Sequence, residues 1–243
     1  MPAFSTVAST IERRLLVNYR LDPGLARHLV PPGLRPAIVA DSAIGGFCLI
    51  RLGDMRPAGL PRRSGVRSEN AAHRIAVEWT ENGRTRRGMY IPERHSGSWL
   101  PRLAGGRVFP GVHQAAHFAV AERADRIGIV ATAPQLEIRA DVTPDAPWSS
   151  TIFATVDEAS DFFADASVGW SPRRHGGWDA VEMRTDAWSV RSTAAREISS
   201  TLLEQFPAGS CVFDHALLMS DVPVTWHALR GERTAGPAPA RVA

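Results

Sequence analysis

The stretch GGRVFPGVHQAAHF, residues 105 to 118, carries a paired glycine, an arginine, a Pro-Gly turn and then His113 and His117. Histidines four apart would share one face of a helix. After a Pro-Gly turn, however, HQAAHFAVAE reads equally well as a strand, with His113, Ala115 and His117 pointing one way and Gln114, Ala116 and Phe118 the other. No carboxylate or third ligand stands near the pair in sequence, so no metal site is expected. The plain alternative is a pair of histidines satisfied in the core or lining a cavity.

On either side of this stretch the chain reads mostly as short strands. RRLLVNYRL opens the series and ends at Asp22-Pro23, where an N-cap aspartate followed by proline starts a short helix, PGLARHLV, that stops at Pro31-Pro32-Gly33. Strands are expected in IGGFCLIRL, AHRIAVEWT, RRGMYIPE, HFAVAERA, IGIVATA, QLEIRADV, STIFATVD and WDAVEMRTDAWSV. ENGR, residues 81 to 84, is a hairpin signal, because Asn-Gly supplies the positive dihedrals of a tight primed turn. STAAREISSTLLEQF has apolar residues at Ile198, Leu202, Leu203 and Phe206, a helical spacing, and HALLMSDVPVTWHAL returns to strand. The pattern predicts a mainly β, α+β domain with flanking helices, built as a large barrel or sandwich over residues 11 to 230. Residues 1 to 10 read as a flexible N-terminus and 231 to 243 as a disordered tail.

Composition removes several classes of function. The 243 residues include 28 basic ones, all arginine, and the net charge is only +3. Clusters such as Arg62, Arg63 and Arg67 lie in polar loops without interleaved aromatics, so no nucleic-acid partner is expected. No apolar run reaches membrane-spanning length, and the N-terminus lacks the order of a secretory signal, which points to the cytoplasm. Cys48 and Cys211 sit in apolar contexts and read as free thiols. G-x-S-x-G, Gly-rich phosphate loops, C-x-x-C and H-E-x-x-H are all absent, and no cofactor is expected. Without lysine, no side-chain amine can form an imine, since arginine keeps its proton.

The succession LLVNY, LVPPGL, SENAAHRIAVEW, RRGMYIPE and GGRVFPGVHQAAHF resembles the acetoacetate decarboxylase-like superfamily, in particular its bacterial branch of uncharacterised proteins, over residues 12 to 228. The resemblance implies a closed, cone-like antiparallel β-barrel whose interior holds the active site. In the decarboxylases the matching loop has glycine, arginine and glutamate, then a glycine, then a proline and two lysines, the first of which forms the Schiff base. Those positions fall here on Gly106, Arg107, Val108, Gly111, His113, Gln114 and Ala115. Both amines are gone; a shift of one residue places His113, rather than Gln114, where the nucleophile would be.

The family's inward-facing glutamate matches Glu69, and strand alternation puts Ala71, His73, Ile75 and Val77 on its side. Four residues after that glutamate the bacterial branch has an arginine; this chain has His73, with Arg74 beside it. The expected catalytic set is therefore Glu69, His73, Gln114 and His113, with Arg107, Tyr90 and His117 binding substrate. A carboxylate and an imidazole in an apolar cavity suit acid–base work, and Tyr90 and Gln114 could hold a carbonyl or enolate oxygen. This points to a lyase, isomerase or cyclase acting on a carbonyl-containing small molecule or polyketide-like intermediate, not an imine-forming decarboxylase. The rival is a non-catalytic protein that binds a small molecule in the same cavity. A homo-oligomer is compatible with either. The late aromatics Phe162, Phe163, Trp170, Trp178 and Trp188 read as cavity wall or as plain core.

Overall fold

The computed structural model describes residues 6–98, 112–172 and 177–229. In chain order its elements are β1 (Thr6–Leu21), α1 (Pro23–Leu29), β2 (Arg35–Pro36), β3 (Ile38–Val39), β4 (Ser42–Pro57), β5 (Val66–Glu81), β6 (Arg84–Tyr90) and β7 (Glu93–Ser96). They continue with β8 (Val112–Ala115), β9 (His117–Arg123), β10 (Arg126–Ala133), β11 (Leu136–Pro144), α2 (Val156–Asp165), β12 (Val168–Pro172), β13 (Trp178–Arg184), β14 (Arg191–Ser200) and β15 (Cys211–Leu229). The domain is thus mostly strand, with two α-helices among the described residues.

Hydrogen bonding runs β1-β4-β5-β6-β12-β13-β15 and returns to β1, a circuit of seven strands; β14, β11, β10 and β9 extend from β15 as a meander. The pairings are antiparallel except β6 with β12 and β7 with β8. The long strands bury both faces, which is why RRLLVNY and GGFCLI read as almost continuous apolar runs. Leu15, Val17, Phe47, Leu49, Ala71 and Val77 pack on one face against Ile127, Ile129, Ile138 and Ala140 of the meander. On the other, Leu16, Ile44, Ala76 and Leu217 pack against Phe162 and Phe163 of α2. A small space on this second face is lined by Arg14, Cys48, Arg74, Met89, Gly169, Val181 and Trp226, one from each circuit strand, so this is the face the circuit encloses.

Local signals that carry their own chemistry appear as expected. Asp22 Oδ1 accepts from the Leu25 amide at 2.8 Å and caps α1. Asn82 and Gly83 take φ of 52° and 75°, closing the β5–β6 hairpin with Glu81 opposite Arg84.

Other expectations are overturned. STAAREISSTLLEQF is not a helix: it forms β14 and a 3-10 turn at Leu203–Gln205, paired with β11 and β15. Ile198, Leu203 and Phe206 reach the core from a strand and a turn while Leu202 is exposed, and the two ladders outweigh the weak preference of a Ser- and Thr-rich segment for helix. STIFATVD is not a strand but the entry to α2. Thr155 Oγ accepts from the Glu158 amide at 3.1 Å, and Glu158 Oε2 accepts from the Ala154 amide at 2.8 Å. That reciprocal cap was present in the spacing Thr-x-x-Glu. The strand expected over residues 178 to 190 stops at Arg184. Residues 6 to 10, expected to be flexible, are strand, with Val7 opposite both Trp226 and Pro57. The tail from 231 lies outside the described residues. Both cysteines are free, and no helix among the described residues is long and apolar enough to cross a membrane.

Candidate functional site

Register on β5 decides where the expected residues go. Glu69, Ala71, His73 and Ile75 share a face, as alternation requires, but it is the face toward the meander. Ala72, Arg74 and Ala76 take the enclosed face instead. The expectation that Glu69 and His73 point into the enclosed space is therefore corrected. A strand's alternation defines two sides, and only its neighbours determine which side is inside.

Glu69 is part of an ion-pair network. Its Oε2 accepts from Arg13 Nη2 at 2.6 Å and its Oε1 from Arg51 Nε at 2.5 Å. Arg51 Nη1 reaches Glu122 Oε2 at 2.6 Å, and Arg13 Nη1 donates to Glu122 Oε1. Each arginine bridges both carboxylates and ties β1, β4 and β5 to β9. Burial works against the charge on Glu122, but the bonds from Arg13 and Arg51 outweigh it and hold this carboxyl below its ordinary range. For Arg51 the same balance raises the guanidinium. Both oxygens of Glu69 are thus engaged by arginines.

His73 does line a cavity. A space of about 650 Å³ lies between the outer face of β5 to β8 and the β10–β11 and β14–β15 connections. It takes His73, Ile75, Tyr90, Glu93, His95 and Gln114 from these strands, and Leu136, Leu203 and Phe206 from the opposite side. The registers explain the convergence: Ile75 stands opposite Tyr90, Ala71 opposite His95, and His95 opposite Gln114. His73 Nε2 lies 2.8 Å from Ser200 Oγ, which links the cavity floor to β14. Burial first, then the neighbouring His95, lowers the His73 pKa to about 4. His95 is lowered by burial against the opposing pull of Glu93, whose Oε2 is 3.9 Å from His95 Nε2. At neutral pH both imidazoles are uncharged, so each has one N–H and one lone pair. Burial raises the Tyr90 phenol, which keeps its proton and remains a donor.

The remaining expected residues separate. His113 sits opposite Arg94, on the other face of β8 from Gln114. It does not line the larger cavity, so Gln114, not His113, faces it. His117 is exposed on β9, away from this cavity. Arg107 lies outside the described residues. Phe162, Phe163 and Trp170 are buried core, while Trp178 stacks edge-on against Tyr90 at 5.9 Å.

Glu93 and His95 were missed. The chain breaks its ladder at Ile91-Pro92 and pairs again as β7 with a different part of β5, so the strand that reads as ending at Glu93 restarts there. The i, i+2 spacing of Glu93 and His95 was the available signal.

No family model matches the chain, and no curated protein matches it. Solved structures do. The chain is similar to an acetoacetate decarboxylase from Legionella pneumophila at 10% identity and TM-score 0.58, over 93% of this chain and 88% of that one. It is also similar to an acetoacetate decarboxylase-like enzyme from Sphingomonas wittichii RW1 at 13% identity and TM-score 0.56, with 97% and 92% covered. A third is the enduracididine biosynthesis enzyme MppR complexed with pyruvate, at 16% identity and TM-score 0.54, with 92% and 89% covered. At such identities the likeness establishes an acetoacetate decarboxylase-like fold.

Proposed function

We propose that the protein is a non-Schiff-base enzyme, a lyase, isomerase or cyclase that moves a proton next to the carbonyl of a small molecule in the 650 Å³ cavity. The observation that carries this is the convergence of two uncharged imidazoles, a carboxylate, a protonated phenol and an amide on one face around one mostly apolar space. His95, with Glu93 beside it, is the base that takes the proton α to the carbonyl. Tyr90 O–H and the Gln114 amide hold the oxygen as enolate charge develops. His73, fixed by Ser200, returns the proton or passes it to a leaving group. The step uses only side chains of this chain, and we read the seven-strand circuit as the superfamily's cone-like barrel. Leu136, Leu203 and Phe206 favour a largely apolar substrate, as a polyketide-like ketone would be. Similarity to MppR, solved with pyruvate and with a condensation product of pyruvate, supports a small carbonyl ligand.

The test is α-hydrogen exchange. A panel of small apolar ketones is incubated with the protein in D2O and followed by NMR. Exchange above the buffer rate is expected for at least one member, falling by about 10²-fold in His95→Ala and about tenfold in Tyr90→Phe. A ketone that binds tightly yet exchanges no faster than in buffer would replace this reading with that of a small-molecule binding protein.

A further inference from the structure

Among the described residues, the 650 Å³ cavity is faced by one formal charge, and that charge is negative. Both of its imidazoles are uncharged at neutral pH. Arg74 borders the space, but its guanidinium turns to the enclosed face of the circuit, where it donates to Asn18 Oδ1 at 2.5 Å and lies 4.9 Å from the Phe163 ring centre. Arg94, next in sequence to Glu93, lines the smaller space on that same enclosed face. The Glu93 carboxylate is what remains on the larger cavity's wall.

Elsewhere in this protein glutamates of the sheet are answered by arginine, as Glu78 is by Arg35 and Arg87, and Glu12 by Arg67. Glu93 meets only His95 Nε2, at 3.9 Å, which is beyond hydrogen-bond length, and no described arginine comes within ion-pair distance of it. Its side chain is 40% exposed, so water can satisfy the charge until a cation takes that place. His95 beside it is 6% exposed, and its Nδ1 has no hydrogen-bond partner within the protein. An unpaired carboxylate and an unengaged imidazole nitrogen on one wall, with Leu136, Leu203 and Phe206 on the other, suit a ligand that is cationic at one end and apolar at the other.

We propose that the ligand of this cavity is an amino ketone, with a cationic ammonium group paired to Glu93 and an apolar remainder against Leu136, Leu203 and Phe206. The inference rests on the proposed proton transfer for the place of the carbonyl, between Tyr90 and Gln114; the pairing of Glu93 with an ammonium stands without it. Since Glu93 Oε2 is 3.9 Å from His95 Nε2, an ammonium held by Glu93 lies one or two bonds from the carbon that His95 deprotonates. The amine is therefore α or β to the carbonyl. A positive charge so placed stabilises the enolate, and its N–H groups make charge-assisted hydrogen bonds to the carboxylate that a neutral ketone cannot make.

The test is calorimetric titration of the full chain at pH 7 with three probes of equal length: hexylammonium, hexanol and hexanoate. Hexylammonium is expected to bind about tenfold tighter than hexanol, and hexanoate more weakly than either. In Glu93→Gln the ammonium-to-alcohol affinity ratio should fall to near one, whereas Glu204→Gln, a change outside the cavity lining, should keep the wild-type ratio. Glu93 makes no hydrogen bond within the protein, so its glutamine variant folds, and the ratio in the wild type is informative by itself. Equal binding of hexylammonium and hexanol, tighter binding of hexanoate, or a preference for ammonium that survives in Glu93→Gln would overturn the proposal. None of these readouts needs turnover: loss of the ammonium preference leaves ketone exchange in place, and failure of ketone exchange leaves the ammonium preference in place.

Discussion

Replacing Glu69 by glutamine should unfold the protein more readily without touching the larger cavity. In the wild type two guanidiniums and two carboxylates balance, each cation bridging both anions. Glu69→Gln keeps the shape but leaves Arg13, whose side chain is 4% exposed, and Arg51 sharing Glu122 alone. Breaking a buried ion pair from one side costs about 3–5 kcal/mol. Side-chain exposures of 19% for Glu69 and 34% for Glu122 admit water and reduce that toward about 2 kcal/mol. For a chain of this length the loss corresponds to a fall in Tm of about 4–8 °C, measurable by calorimetry or near-UV circular dichroism. Adding Glu122→Gln should cost more than the sum of the two single changes, because the repulsion between the carboxylates is relieved by the first removal only. A Tm shift under about 1 °C, or loss of ketone exchange with stability intact, would refute the structural role and return Glu69 to the catalytic set.

Three further expectations follow from other parts of the molecule. His73 has a folded pKa of about 4 against 6.5 unfolded, so the unfolded state binds more protons between those values. Its contribution is full above pH 6.5 and falls by about 3 kcal/mol as pH drops to 4; His73→Asn should flatten the Tm profile over that window, and superimposable profiles would contradict the assignment. Thr155→Ala removes the α2 cap and should cost about 1 kcal/mol by urea titration, with no change if the cap is idle. Gly46→Ala places a Cβ 2.1 Å from the Val17 carbonyl oxygen at φ +136°, so a loss of about 3 kcal/mol or more is expected, and near-wild-type stability would show that β1 and β4 can shift apart.

Much of this protein was readable along the chain. The cap at Asp22, the Asn82-Gly83 turn and the periodicity of β5 depend on residues within a few positions of one another, and local dihedral and hydrogen-bonding preferences settle them. Absence of lysine alone leaves no side-chain amine to form an imine. The pairing of Glu69 and His73 on one side of a strand was equally legible, because alternation is a property of the strand itself. Which side faced the enclosed space was not, since that depends on β4, β7 and β14 arriving from distant sequence. The same dependence turned helically spaced residues 192 to 200 into strand and carried His95 across from Ala71 after a proline break. It also gathered Arg14, Arg74 and Arg94, far apart in sequence, around one small cavity. Long-range pairing repays its chain-closure entropy only when the whole sheet forms, so no local window of residues contains the information that places these side chains.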